Sequence, residues 1–388
     1  MLPAFIVLFA AAAAYGQIHS ALTREGEWYV QTTAGAIDLA ADARLGVKAT
    51  GPITVRGRSG AGVSFTVRQR TKARNEAEAR RILRNIIFRN QLRAGWNWIS
   101  VIGADPVGVA SELHLSIPRS VRELVMHSQS GDVQAYDIDG SVEAETAGGR
   151  IQVDRVLGSV IAKTGGSEIR IGRVGGQLRC FSGGGTIRVD SAGGEAWCET
   201  AGGEILVDDI SGALHATTAG GNIRVNKAAS FIVARSDGGL IEVRRAGGIV
   251  TAQTRGGSIQ VGSAEGVRCE SAAGTIRVRS SSGPLRAETA AGNILAELLP
   301  GARLQDSLLS TGGGDVTVFI PSNISVSVQA INETPGRSSR IFSDFPQIRV
   351  RRSDASPGGP AIAEGLLNGG GPLLRISVAA GAIYLRRK

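Results

Sequence analysis

The feature that most constrains this chain is a period. From residue 131 a unit recurs: Gly-x-Ile-x-Val, a glycine turn, x-Val-x-Ala-x-Thr, then Gly-Gly. Its anchors Val133, Ile151, Ile169, Ile187, Ile205, Ile223, Ile241 and Ile259 are separated by seven successive intervals of 18. Ile276 follows after 17, Ile294 after 18 and Val316 after 22, which places four extra residues within 302–306. Nine residues past each anchor stands a second apolar residue (Val142, Val160, Leu178, Ala196, Leu214). Two further on stands a small one (Ala144, Ala162, Cys180, Cys198, Ala216), and two beyond that a hydroxyl (Thr146, Thr164, Ser182, Thr200, Thr218). In each half, apolar residues alternate with polar ones and glycine bounds the run, so these are short strands and not helices.

A strand this short cannot bury a face alone. Stacked rungs can, each covering its equivalent about 4.8 Å above and below. The predicted architecture is therefore all-β: a parallel, β-helix-like solenoid with coils of 18 residues and two short strands per coil. The inward set falls at offsets 0, 2, 5, 9, 11 and 13 from the anchor, whereas a left-handed hexapeptide helix repeats its apolar residue every six. Eleven anchors make a rod roughly 50 Å long.

Composition agrees. Glycine supplies 54 of 388 residues, and 35 of these lie between Gly131 and Val316, all at the two corners of the repeat except Gly172 and Gly262. Corners are expected to need glycine for positive φ and for close stacking. With 12 prolines and no Gly-X-Y period the chain is not collagen, and 42% hydrophobic residues exclude a disordered one.

Four regions follow. Residues 1–16 read as a signal peptide, with an apolar Leu2–Ala14 core and small Ala14 and Gly16 before Gln17. That predicts export, to the periplasm or to the cell surface and exterior. No later run approaches the ~20 apolar residues of a transmembrane helix. Residues 17–130 are an N-terminal capping region, in which Val47, Ala49, Ile53 and Val55 resemble a rung. The same region holds one amphipathic helix over about 75–92, with Asn75 as N-cap and Glu76 and Glu78 in its first turn, acting as the cap of the rod. Residues 131–334 are the solenoid. Residues 335–388 form a C-terminal cap, with Pro335–Gly371 looping over the rod and strands closing it at Arg375–Leu385.

The formal charge is +9, but the basic residues are scattered among acids without interleaved aromatics, so no nucleic-acid partner is expected. The four histidines lack metal-ligand spacing, and no nucleophile elbow or phosphate loop appears. Neither catalytic residues, a cofactor nor a metal is therefore expected. His215 reads as an outward surface residue. Cys180 and Cys198 share one inward position on adjacent rungs, and their parallel Cβ vectors favour buried hydrophobes over a disulfide. Asp190, Asp208 and Asn226 form a column that Arg188 and Arg224 flank, which favours a solvated charge ladder over a calcium site.

One outward set is unusual. Ile161, Phe181, Trp197 and Val233 fall at positions that the alternation sends to solvent. A clustered apolar strip implies a cover. That cover is either the N-terminal helix or the Pro335–Gly371 segment, or else a partner, a cell-surface protein or glycan anchored on Trp197.

An early Glu/Ala/Arg helix, the Ser128-Gln-Ser-Gly-Asp-Val133 start and repeated Thr-x-Gly-Gly-x-Ile-x-Val units together resemble the bacterial putative-adhesin β-strand-repeat family, a domain of unknown function. Ser343-Asp-Phe-Pro346 and Gly369-Gly-Gly-Pro372 are similar to that family's closing region. The resemblance covers about residues 25–388. It implies an adhesin-like β-solenoid without catalytic residues. The turns depart from the family's common Asn-Gly, since this chain prefers Ala-Gly-Gly. The function expected is a non-enzymatic exported envelope protein presenting a side surface for adhesion or scaffolding. The alternatives are an envelope-stress or regulatory accessory protein and a polysaccharide-active β-helix enzyme using the Asp190 column.

Overall fold

Each unit of the repeat folds as one coil of two strands, as in Ile205–Ile210 followed by Leu214–Thr218. The structure is a computed structural model and describes residues 19–40, 42–84, 86–103, 109–300, 304–334, 340–352 and 359–388. The region expected to be a signal peptide lies outside these residues. Successive coils stack parallel and in register: Ile187, Ile205 and Ile223 are neighbours in one sheet, and Ala196, Leu214 and Ile232 in the other. We call these the anchor sheet and the threonine sheet. The inward offsets are the predicted ones. Ile205, Val207, Ile210, Leu214, Ala216 and Thr218 are all buried between the sheets.

The ends were not legible from the repeat. In the threonine sheet, Arg44–Ala49 lies between Trp96–Gly103 and Glu123–Ser128, parallel to both. In the anchor sheet, Ile53–Arg58 likewise lies between Val109–Pro118 and Val133–Ile138. The first coil in sequence is thus the second in space, because the chain leaves it, builds an outer coil and steps back over it. The other end mirrors this. Leu373–Ala380 inserts between Ser307–Gly313 and Val326–Asn332, and Ile383–Arg387 between Val316–Ile320 and Ile341–Ser343. Antiparallel strands then cover the rims: Val63–Thr71, Trp28–Ile37 and His19–Glu25 at one end, Ala361–Leu367 and Arg349–Arg352 at the other. Such flaps limit edge-to-edge pairing.

Two expectations need correction. The helix is shorter than 75–92. It spans Glu76–Leu83, with the Glu78 N–H donating to Asn75 Oδ1 at 2.9 Å as the N-cap reading required. Residues Ile86–Arg93 instead form a hairpin with Trp96–Gly103, around Ala94 and Gly95 at φ 52° and 78°. Two successive positive φ values fit the primed turns that join twisted strands, and Ile86-Ile-Phe88 favours a strand. The second correction concerns Pro335–Gly371, whose described parts supply strands Ile341–Ser343, Arg349–Arg352 and Ala361–Leu367 and not a loop over the rod.

The corner glycines also have a different cause. Of the described glycines between Gly131 and Val316, only Gly314 takes a positive φ. The constraint is stacking. A Cβ on Gly203 would lie 2.2 Å from the Gly185 carbonyl oxygen, and one on Gly221 only 2.0 Å from that of Gly203. Gly202, one residue earlier, has nothing within 4 Å. The same corner is clasped by the inward hydroxyl. Thr218 Oγ1 donates to the Gly203 carbonyl at 2.9 Å and accepts from the Gly221 N–H at 3.2 Å. Thr146, Thr200, Ser236 and Thr254 repeat this clasp. A buried hydroxyl at a fixed place in each coil therefore satisfies a backbone donor and acceptor that the tight corner leaves over.

Candidate functional site

The outward face of the threonine sheet is built from two files of side chains. Ile161, Arg179, Trp197, His215 and Val233 follow one another in register across five strands. Lys163, Phe181, Glu199 and Thr217 form the neighbouring file. Of the four residues singled out by sequence, Ile161, Trp197 and Val233 thus share a file and Phe181 lies beside it. Ile161, Phe181 and Val233 are half-buried by their neighbours, while Trp197 is 42% exposed.

His215 is more than an ordinary surface residue. Its ring stacks on Trp197 with centroids 3.8 Å apart and planes 8° apart, and Phe231 meets it edge-on at 5.5 Å. His215 Nε2 lies 3.2 Å from Glu195 Oε1, so a protonated imidazole would carry both an ion pair and a cation–π contact. Phe231, also 42% exposed, extends the cluster at the corner before Ile232–Ser236. Register could have found His215, which stands one 18-residue coil after Trp197; Phe231 sits in a corner, where alternation says nothing.

Among the described residues, neither segment expected to cover the strip within the chain does so. The helix packs Ala79 and Leu83 against Val63–Thr71 and Trp28–Ile37 at the N-terminal end. The described strands of 340–367 pair at the opposite end. Along the Phe181 file runs a groove of about 720 Å³ lined by Lys163, Phe181, Glu199, Thr217, Arg235 and Asp237. A second hollow of about 610 Å³ shares Arg235 and Asp237 with it and continues towards Glu270 and Glu288. The flank is therefore concave over many coils, mixed in charge and aromatic near its middle.

The other candidates lie elsewhere on the rod. Asp208 Oδ1 accepts from Asn226 Nδ2 at 2.7 Å in a hollow of about 350 Å³ that also holds Asp190, Arg188 and Arg224. Among the described residues no three His, Cys, Asp or Glu side chains are placed to hold a metal ion. Cys180 and Cys198 are direct register partners, yet both are free and buried. Burial, with Cys198 alongside, pushes the Cys180 thiol well up, and burial does the same to Cys269. Neutral buried thiols act as small hydrophobes in the alanine file.

No protein-family model and no curated protein matches this sequence. Solved structures do. The chain is similar to bacterial putative adhesins. One, from Bacteroides fragilis, is 12% identical over 64% of this chain and 96% of its own, with a TM-score of 0.33. A putative cell adhesion protein from Clostridium sporogenes is 9% identical over 92% and 100%, with a TM-score of 0.21. A putative lipid binding protein from Parabacteroides distasonis is 13% identical over 74% and 96%, with a TM-score of 0.28. No helix among the described residues is long and apolar enough to cross a membrane.

Proposed function

We propose that this chain is a non-enzymatic, exported, adhesin-like envelope protein, a stiff rod whose threonine-sheet flank docks a cell-surface protein or glycan. One observation carries the reading: Trp197, stacked on His215 and beside Phe231, stands 42% exposed in the middle of the flank. Large rings are normally buried, and an uncovered aromatic cluster above a shallow groove supplies contact area at little cost in side-chain entropy. The rigid in-register sheet fixes the spacing of contacts along the rod, so affinity would add up over several coils. Export fits the sequence expectation for residues 1–16.

The test is binding of the full mature chain to a glycan array and to isolated bacterial envelope fractions, compared with Trp197→Ala and Phe181→Ala. Loss of binding in both variants, with the circular dichroism unchanged, supports the strip. Binding that is indifferent to both removes it. Depolymerisation of a polysaccharide that disappears in Asp208→Ala would instead favour the enzyme reading.

A further inference from the structure

The anchor sheet has an outward face too, and its charges are not evenly matched. Several of its cations find a carboxylate on a neighbouring coil. Arg155 binds Asp137 through two hydrogen bonds of 2.6 and 2.9 Å, which hold the Asp137 carboxyl below the usual carboxylate range. Lys227 pairs with Asp209 at 3.0 Å and Arg224 with Glu204 at 3.0 Å. Near Arg244 the cations instead gather round one hollow. Around Gly262 lies a hollow of about 370 Å³ walled by Arg244, Arg277 and Arg279, with Gln260 and Glu242 at its side. Among the described residues Glu242 is the single carboxylate lining it, and it is shared at 3.9 and 3.8 Å between Arg224 and Arg244. Arg277 and Arg279 are exposed and form no ion pair among the described residues.

Gly262 explains the hollow. It is one of two repeat glycines that lie outside the corners, and it stands in the outward file between Arg244 and Arg279. A Cβ there would fall 2.3 Å from the Arg244 carbonyl oxygen, so the position stays bare and the floor is backbone. The arginines on either side are two coils apart, roughly 10 Å along the rod.

We propose that this notch binds acidic groups of an extended polysaccharide, carboxylate or sulfate, gripped by the forked guanidinium groups of Arg277 and Arg279 with Arg244 across the floor. Guanidinium pairs a planar or tetrahedral oxyanion bidentately, and Arg277 and Arg279, unlike Arg244, have no ion pair among the described residues to break. The separation of Arg244 and Arg279 suits a polymer that carries one acidic group per disaccharide. Among the described residues no exposed apolar side chain lines the hollow to enter a bilayer, and no aromatic lines it to stack a base. The site lies on the opposite sheet from the Trp197 strip and stands or falls independently of it.

The experiment is titration of the full chain with a fluorescently labelled, sulfated heparin hexasaccharide at low and physiological salt. Arg277→Ala/Arg279→Ala is expected to weaken binding about 10-fold or more and to flatten its salt dependence. Arg277→Lys/Arg279→Lys, which keeps the charge but loses the fork, is expected to fall between. Arg170→Ala/Arg173→Ala, on the same face but outside the notch, is expected to change affinity by no more than about twofold. Equal losses from the notch and the control pair would overturn the proposal in favour of a diffuse field. So would no binding by the wild-type chain, or binding to phosphatidylserine vesicles without binding to the hexasaccharide.

Discussion

The hydroxyl clasp makes a prediction whose size can be worked out. Thr218 is 2% exposed, donates to the Gly203 carbonyl at 2.9 Å and accepts from the Gly221 N–H at 3.2 Å. Thr218→Val keeps the shape and the β-branch but deletes both hydrogen bonds. The corner is too tight for either orphaned group to turn elsewhere, since the Gly221 backbone already packs against the Gly203 carbonyl. An unsatisfied buried donor or acceptor costs about 1–3 kcal/mol. The corner is partly open to water, so the two together should cost about 2–4 kcal/mol. Thr218→Ser keeps both bonds and loses one methyl, about 0.8 kcal/mol. Urea unfolding followed by circular dichroism, with hydrogen exchange at the Gly221 amide, separates the cases. Because coils couple mainly to their neighbours, the Val variant should also split the transition by uncoupling the rod at that coil. Equal stability of the Val and Ser variants would refute the clasp.

Other consequences follow from the same geometry. Gly203→Ala, with its Cβ 2.2 Å from a carbonyl oxygen, should destabilise by about 3 kcal/mol or more, while Gly202→Ala, facing open space, should be within about 0.5 kcal/mol of wild type. Paired thermal melts decide it, and equal effects would contradict the stacking explanation. Asp344 accepts from the Arg387 N–H at 3.1 Å and from Arg386 Nη1 at 3.0 Å, and these bonds hold its carboxyl below the usual range. A depressed folded value means the stabilisation is complete above the ordinary carboxylate pKa and lost as pH falls through the folded one. Wild type should therefore melt above Asp344→Asn at neutral pH, with the gap closing below about pH 4; a gap that persists at lower pH would contradict the pairing. Deleting residues 373–388 removes a coil that sits between two others, so limited proteolysis should cut from residue 321 onward and spare the central coils. An intact end after deletion would contradict the inserted topology.

Much of this molecule could be read from its period. Ile205, Val207, Ile210, Leu214, Ala216 and Thr218 are inward because an 18-residue coil of alternating strands allows no other burial, and the structure buries all six. The ends escaped because inserting Arg44–Arg58 between two later coils is a long-range choice that leaves no local mark. The helix was drawn too long because Ile82, Leu83, Ile86 and Ile87 fit helical spacing, while the Ala94–Gly95 turn that makes a hairpin lies beyond that window. Trp197 was legible as an outward aromatic. Its stacking on His215 needed the register between coils, and Phe231 needed a corner geometry that periodicity does not encode. The arginine notch needed three coils at once, since Arg244, Gly262 and Arg279 are neighbours only after stacking.

The central claim is that the threonine-sheet flank is the binding surface. Hydroxyl-radical footprinting of the full chain, with and without the glycan or envelope component that it retains, tests this directly. Trp197, Phe231 and Phe181 should be protected together on binding, with Trp28, Trp96 and Trp98 at the N-terminal end unchanged. Protection confined to those three tryptophans, with Trp197 still fully reactive, would contradict it.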